Sequence, residues 1–222
     1  MSDANHHPSP PAMLWPDVRA FVVGSLPPPP ARVLEVGAGD GQLAAALRGL
    51  GYDVVAIDPR EDPGEGVNQV ALAALSAPQE SFDAAVAVIA LHHVEPLAES
   101  LELLVSVLRS GAPLLVDELD VAALDDRAMA WWSAQQEAAG TPIDDIDRVR
   151  REMQGHLHDV ETIVGALAPH FDVGGTVRGT YLHRWHLPPG LRAAEEELVG
   201  AGRLPAVGVR IVGRRRHTGA RC

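Results

Sequence analysis

Between residues 32 and 119 two kinds of apolar pattern alternate along the chain. Nearly unbroken apolar runs occur at 32–37, 53–58, 82–91 and 112–119, and such runs read as strands buried on both faces. Between them, 41–51 and 96–111 repeat apolar residues at intervals of three and four, which predicts amphipathic helices ending near Gly51 and Gly111. Strands of this kind alternating with helices predict a parallel sheet covered on both faces. Ahead of the first strand, "MLWPDVRAFVVGSL" (13–26) has helical spacing with Pro16 in its first turn, and "PPPP" (27–30) forces an extended connection. Residues 59–67 are loop-rich, and 68–75 fit neither period cleanly.

Past residue 119 the character changes. Helices are expected at 126–140, at 144–155 and at 159–170, the last with Asp159 as N-cap. A strand is expected over 171–187, then a helix at 191–202 and a closing strand at 205–216. On a strand through 181–184, alternation puts Tyr181 and His183 on one face and Leu182 and Arg184 on the other. There is no internal repeat and no linker. The organisation is a single domain over 13–216, with 1–12 a flexible leader and 217–222 a flexible tail.

Charge narrows the partners. Thirty acidic against 18 basic residues give a net charge of −12, which disfavours nucleic acid and anionic membrane, since both need clustered Lys and Arg. The one basic cluster, Arg214–Arg216 with Arg221, reads as a strand end and a solvated tail. The single cysteine, Cys222, forms no intrachain disulfide, and neither a secretory leader nor a membrane-length apolar run is seen, so a cytoplasmic protein is expected. Monomer and homodimer both remain open.

Chemistry is concentrated at the turn "EVGAGDG" (35–41). A glycine turn between a parallel strand and a helix aims backbone N–H groups at a ligand. The dinucleotide fingerprint G-x-G-x-x-G fails because residue 42 is Gln, and no G-K-[ST] closes a phosphate loop. What stands is Glu35-x-Gly37-x-Gly39-x-Gly41, with Asp58 ending the next strand, where a carboxylate can accept both ribose hydroxyls. Glu35, beneath the turn, suits a positively charged ligand better than a pyrophosphate.

These motifs, with "FDAAVAVIALHHV" (82–94) and "LRSGAPLLVDE" (108–118), resemble the class I S-adenosylmethionine-dependent methyltransferases, especially the small-molecule group related to quinone-biosynthesis enzymes. The resemblance implies a Rossmann-like sheet of seven strands, mostly parallel, in the order 3-2-1-4-5-7-6, with the last strand antiparallel and helices on both faces. It implies S-adenosylmethionine as cofactor and a small organic molecule as methyl acceptor. It sets Gly37, Ala38 and Gly39 against the methionine part, with Glu35 and Gly41 completing the turn. Asp58 falls on the ribose, Pro59 on one adenine face, and Ile89 and Ala90 beside the amino acid portion. Many relatives bind the adenine amino group with an Asp where this chain has Ala71, followed by Leu72.

Deprotonating a hydroxyl acceptor calls for a base, and His92 and His93, after the fourth strand, are the catalytic candidates. The resemblance places the acceptor pocket in 13–26 and 120–190, with Trp15, Trp131, Trp132, His156, His158, Tyr181 and His183 lining it and Arg184 nearby. No metal is expected, although Asp117, Glu118 and Asp120 stand together at a strand end where Mg²⁺ chemistry would need carboxylates. Oxygen is the favoured methyl-accepting atom on the supply of histidines; a cofactor-binding module without turnover is the alternative, and a dinucleotide oxidoreductase a more remote one.

Overall fold

A computed structural model describes residues 15–217. The first fourteen residues and 218–222, including Cys222 and most of the expected leader and tail, lie outside the described residues. The strands are β1 (Arg32–Val36), β2 (Asp53–Asp58), β3 (Val67–Gln69), β4 (Ala84–Val88), β5 (Pro113–Leu119), β6 (Phe171–Gly179) and β7 (Gly208–Arg215). The helices are α1 (Pro16–Ser25), α2 (Gln42–Gly49), α3 (Leu97–Val107), α4 (Asp126–Ala138), α5 (Ile146–His156), α6 (Val160–Leu167) and α7 (Arg192–Gly200). The sheet order is β3-β2-β1-β4-β5-β7-β6, with β7 antiparallel to both its neighbours and the rest parallel, as the resemblance implies.

Strand alternation divides the core. Leu34, Val36, Ala85, Ala87, Leu114 and Val116 face α3 and α6, while Val33, Val54, Ala56, Ala84, Val86 and Leu115 face α1 and α2. Every residue of β5 is buried, which is why that strand reads as unbroken rather than alternating. A third apolar cluster lies beyond the carboxyl ends of the parallel strands. There Leu119, Val121, Leu124, Met129, Trp132, Leu182 and Val207 are packed by side chains of α5, forming a cap over the sheet end where ligands of open α/β folds bind.

Two expectations need correction, and one open stretch is resolved. Helix α3 ends at Val107, short of Gly111, because Leu108 leaves the helix to bridge Phe82 in parallel and Arg109 N–H donates to the Phe82 carbonyl. The ambiguous stretch resolves into β3 and a 3-10 turn at Leu72–Ala74. The strand expected to run to residue 187 ends at Gly179, so Tyr181 and His183 do not share a strand face. Residues Leu182–Arg184 form a 3-10 turn, pulled out of extended geometry by a carboxylate on α7 that collects three consecutive N–H groups. The Asp159 cap is as expected, its side chain accepting from Thr162 N–H at 2.7 Å.

One ion network locks the cap to the sheet. Asp117, buried on β5, accepts from Arg184 on the 3-10 turn and from Arg210 on β7, both at 2.8 Å, and Arg210 also reaches Asp17 on α1 at 2.6 Å. Removing one partner of a buried pair leaves the other charge desolvated and uncompensated. Asp117→Ala is therefore expected to cost about 3 kcal/mol of unfolding free energy by urea denaturation. Asp117→Ala with Arg184→Met should recover most of it, because the second substitution removes the stranded guanidinium.

Candidate active site

The glycine turn is built by close approach. Gly37, Gly39 and Gly41 all have positive φ, at 70°, 59° and 78°. A Cβ on Gly37 would lie 2.4 Å from the Ala90 Cβ, so only glycine lets the turn touch the end of β4. Gly37 and Ala38 N–H both donate to the Ile57 carbonyl, tying the turn to β2. Asp58, at the end of β2, accepts from Gly39 N–H at 2.8 Å through Oδ2 and from Arg60 N–H and Nε–H at 3.0 Å through Oδ1. Pro59 is exposed beside it, while Leu72 is buried in the core under α3.

Glu35 projects from β1 on the α2 side beneath this turn. It is 4% exposed, and its Oε2 has no hydrogen-bond partner. Burial pushes its carboxyl up to about 8, with Asp40 and Asp58 adding to the rise and Arg48 opposing it. A buried carboxyl lacking a partner is a site prepared for a cation or a donor that the protein itself does not supply.

Two further carboxylates shape the strand ends in the same way. Glu118 on β5 accepts from Ala90 N–H at 2.9 Å and Leu91 N–H at 2.7 Å through Oε1, and from His92 Nδ1 at 2.5 Å through Oε2. Glu195 on α7 accepts from Tyr181 and Leu182 N–H through Oε1, and from His183 N–H and Nδ1 through Oε2, all within 2.7–2.9 Å. Each Glu thus gathers an x-Leu-His turn and fixes its histidine. A carboxylate only accepts, so Nδ1 carries a hydrogen, and a ring with no second hydrogen has its lone pair on Nε2. Burial pushes the Glu195 carboxyl up, but the His183 ring and the three backbone N–H groups hold it below its ordinary range.

The two histidines differ at Nε2. That of His183 is buried and has no partner, with the Trp15 ring edge-on at 5.2 Å. His92 is buried at the lip of the glycine turn, and His93 lies beside it, largely exposed, its pKa lowered by partial desolvation of the ring and by His92. Ile89, just ahead of this turn, has φ of 51°, an unusual conformation for a β-branched residue, and donates to the Asp117 carbonyl at 2.7 Å.

The other expected pocket residues are dispersed. Trp132 is buried in the cap, stacks on Trp185 at 4.0 Å and donates through Nε1 to the Trp185 carbonyl, and Trp131 packs at the same cluster's edge. Tyr181 is buried there too, its hydroxyl pKa raised chiefly by burial. His156 is exposed at the end of α5, with Nδ1 on the Glu152 carbonyl. His158 pairs with Glu95 at 3.0 Å and donates its N–H to the His92 carbonyl, buttressing that turn. The carboxylates at the end of β5 are split: Asp117 holds arginines, Glu118 holds the turn, and Asp120 holds Arg178 at 2.7 Å. Among the described residues no group of three potential ligands could hold a metal ion.

Sequence reasoning passed over Glu195, read only as part of an acidic helix, and took Glu118 only as a possible metal ligand. The repeated Leu-His pair at 91–92 and 182–183 was the available signal.

A profile described as a methyltransferase domain matches residues 13–156, more than half of the chain. The chain belongs to the methyltransferase domain family. This methyltransferase resembles, in fold, the S-adenosylmethionine-dependent methyltransferase from Mesorhizobium loti, at 21% identity over 90% of this chain and 97% of that one, with a TM-score of 0.60. It also resembles the 1,6-didemethyltoxoflavin-N1-methyltransferase from Burkholderia thailandensis, solved with S-adenosylhomocysteine (19% identity, 90% and 76% coverage, TM-score 0.53). A third similar structure is the cyclase SpnF (18% identity, 91% and 82% coverage, TM-score 0.60). Comparison with curated proteins finds no match. The cofactor named for the Mesorhizobium loti protein is S-adenosylmethionine. The residues present fit it: an unpartnered carboxyl lies beneath a turn that only glycines can form, and the cofactor carries positive charge on its sulfur and amino group.

Glu35 also leaves a pH signature. Its folded-state pKa of about 8 lies above its ordinary value of 4.5, so the folded form retains a proton that the unfolded form releases. The group's contribution to stability therefore falls as pH rises from about 4.5 to about 8. Glu35→Gln removes that loss, and the variant is expected to gain on the order of 2 kcal/mol over the parent at pH 8 and much less at pH 5, read from thermal unfolding at both values.

Proposed function

We propose that this methyltransferase transfers a methyl group from S-adenosylmethionine to a small organic acceptor, with an acceptor hydroxyl as the methylated atom. The observation that carries this reading is the buried, unpartnered Nε2 of His183, held in one tautomer by Glu195 and standing beside Trp15. The resemblance to the small-molecule, quinone-related group agrees with it. A net charge of −12 disfavours nucleic acid and anionic membrane as partners, and no helix among the described residues is long and apolar enough to cross a membrane. We place the protein in the cytoplasm.

Gly37, Ala38 and Gly39 would hold the methionine part, Glu35 its positive charge, Asp58 the ribose, and Ile89 and Ala90 would flank the amino acid portion. When bound, the cofactor supplies a methyl group on a positively charged sulfur, open to in-line displacement. The chain's own residues then have two tasks. The cap excludes water, so that positioning and desolvation lower the barrier. His183 Nε2 accepts the hydroxyl proton, and Glu195 stabilises the imidazolium that results. His92 has a different part: with Nδ1 on Glu118 it holds the turn after β4 in shape.

The alternative is a cofactor-binding module without turnover. Incubation with methyl-labelled cofactor and a panel of phenols, catechols, hydroxy acids and amines decides between them, since only the enzyme yields labelled product.

Asp58→Ala is expected to weaken S-adenosylhomocysteine binding about tenfold, some 1.4 kcal/mol, by calorimetric titration; unchanged affinity removes Asp58 from the ribose. With a labelled acceptor in hand, His183→Gln should lower kcat by about 10²-fold or more and leave S-adenosylhomocysteine affinity unaltered. Retained kcat would move the proton transfer elsewhere.

A further inference from the structure

A cavity of about 330 Å³ opens between β6, β7, α1 and α7, on the side of the cap that carries Asp117. Its wall brings together Arg178, Arg184, Arg192 and Arg210 with Asp17 and Asp117. Four guanidiniums from four separate elements converge there: β6, the 3-10 turn after it, α7 and β7.

The carboxylates in this wall are already satisfied in charge. Asp117 is held by Arg184 and Arg210, and Asp17 by Arg210 at 2.6 Å and Arg192 at 3.4 Å. Glu196, also in the wall, takes Arg192 Nε–H at 2.8 Å. Arg178 reaches out of the cavity to Asp120 at 2.7 Å. The donors, however, outnumber these acceptors. The Arg184 side chain is 5% exposed and gives NH1 to Asp117, yet its Nε–H meets no acceptor. A guanidinium N–H buried without an acceptor costs free energy until something fills it. Asp17 Oδ1, in the same wall, is likewise buried without a hydrogen bond, so the occupant can also present an O–H or N–H.

We propose that this cavity is the seat of the methyl acceptor's carboxylate, so that the acceptor is a small organic acid. Arg184 takes the carboxylate through its free Nε–H, and Arg192, partly exposed at the mouth, supplies the second guanidinium. The four arginines are matched in charge by Asp17, Asp117, Glu196 and Asp120, so the unmet Arg184 Nε–H, rather than a net positive charge, is what calls for an acceptor group. Arg184 directly follows His183, so the residue that would bind the acid and the one that would take the proton stand on one turn, both fixed by Glu195 and Asp117. The inference rests on the reading of His183 and its surroundings as the acceptor site.

The test compares benzoate with benzamide, which share shape and differ in charge. Each is titrated by calorimetry into the full chain, alone and saturated with S-adenosylhomocysteine. Benzoate is expected to bind saturably with a Kd on the order of 1 mM, and benzamide at least about tenfold more weakly. Arg192→Gln, a change at a partly exposed side chain, should weaken benzoate about fivefold; Arg184→Lys should weaken it more, its fold checked by circular dichroism. Equal binding of the two probes, binding of neither, or benzoate affinity indifferent to Arg192→Gln would overturn the proposal. Because the titration is also run without the cofactor product, failure of S-adenosylhomocysteine to bind counts against the cofactor site alone.

Discussion

Two buried carboxylates decide how the strand ends of this protein are arranged. Backbone N–H groups that leave a sheet must find acceptors, and burial makes that requirement strict. Glu118 and Glu195 meet it for the segments after β4 and β6, each collecting consecutive N–H groups and one imidazole. Without Glu195 nothing among these contacts would hold residues 181–183 off the line of β6. Without Glu118 the chain after β4 would lose the anchor that presents Ala90 to Gly37.

The same logic of desolvation separates structural from functional polar groups. Asp117, Glu118 and Glu195 are buried and fully partnered, so their charge is spent on geometry. Glu35, His183 and Arg184 are buried with one polar atom each left over. A leftover donor or acceptor in a low-dielectric site is costly until water or a ligand completes it. The three lie at the glycine turn, beside Trp15 and in the arginine-lined cavity. Under the proposed function, a cofactor, a proton and an acid would complete them.

The resemblance in fold to both methyltransferases and a cyclase shows why the strand-end side chains must carry the functional argument. The sheet provides a crevice at the carboxyl ends of its strands, and the reaction is set by what is placed there. Here the α3 and α6 face is apolar packing against β4 and β5, whereas the α1 face brings Trp15 and Asp17 to the 3-10 turn.

The sequence by itself determined the parallel strands, their covering helices and the glycine turn. All three rest on local rules: buried strands read as apolar runs, helices as periodic ones, and a backbone at positive φ against Ala90 demands glycine. It also placed Asp58 at a strand end and Asp159 at a cap. Only the tertiary structure decided what Glu195, Asp117 and Arg184 do, because their partners are distant along the chain and belong to different elements. An acidic residue on α7 looks like a solvated face until the turn it binds is known, and "YLHR" reads as a strand until a remote carboxylate gathers its N–H groups. Local propensity sets which residues can extend or coil; the cost of leaving a buried polar group alone sets which of them must meet.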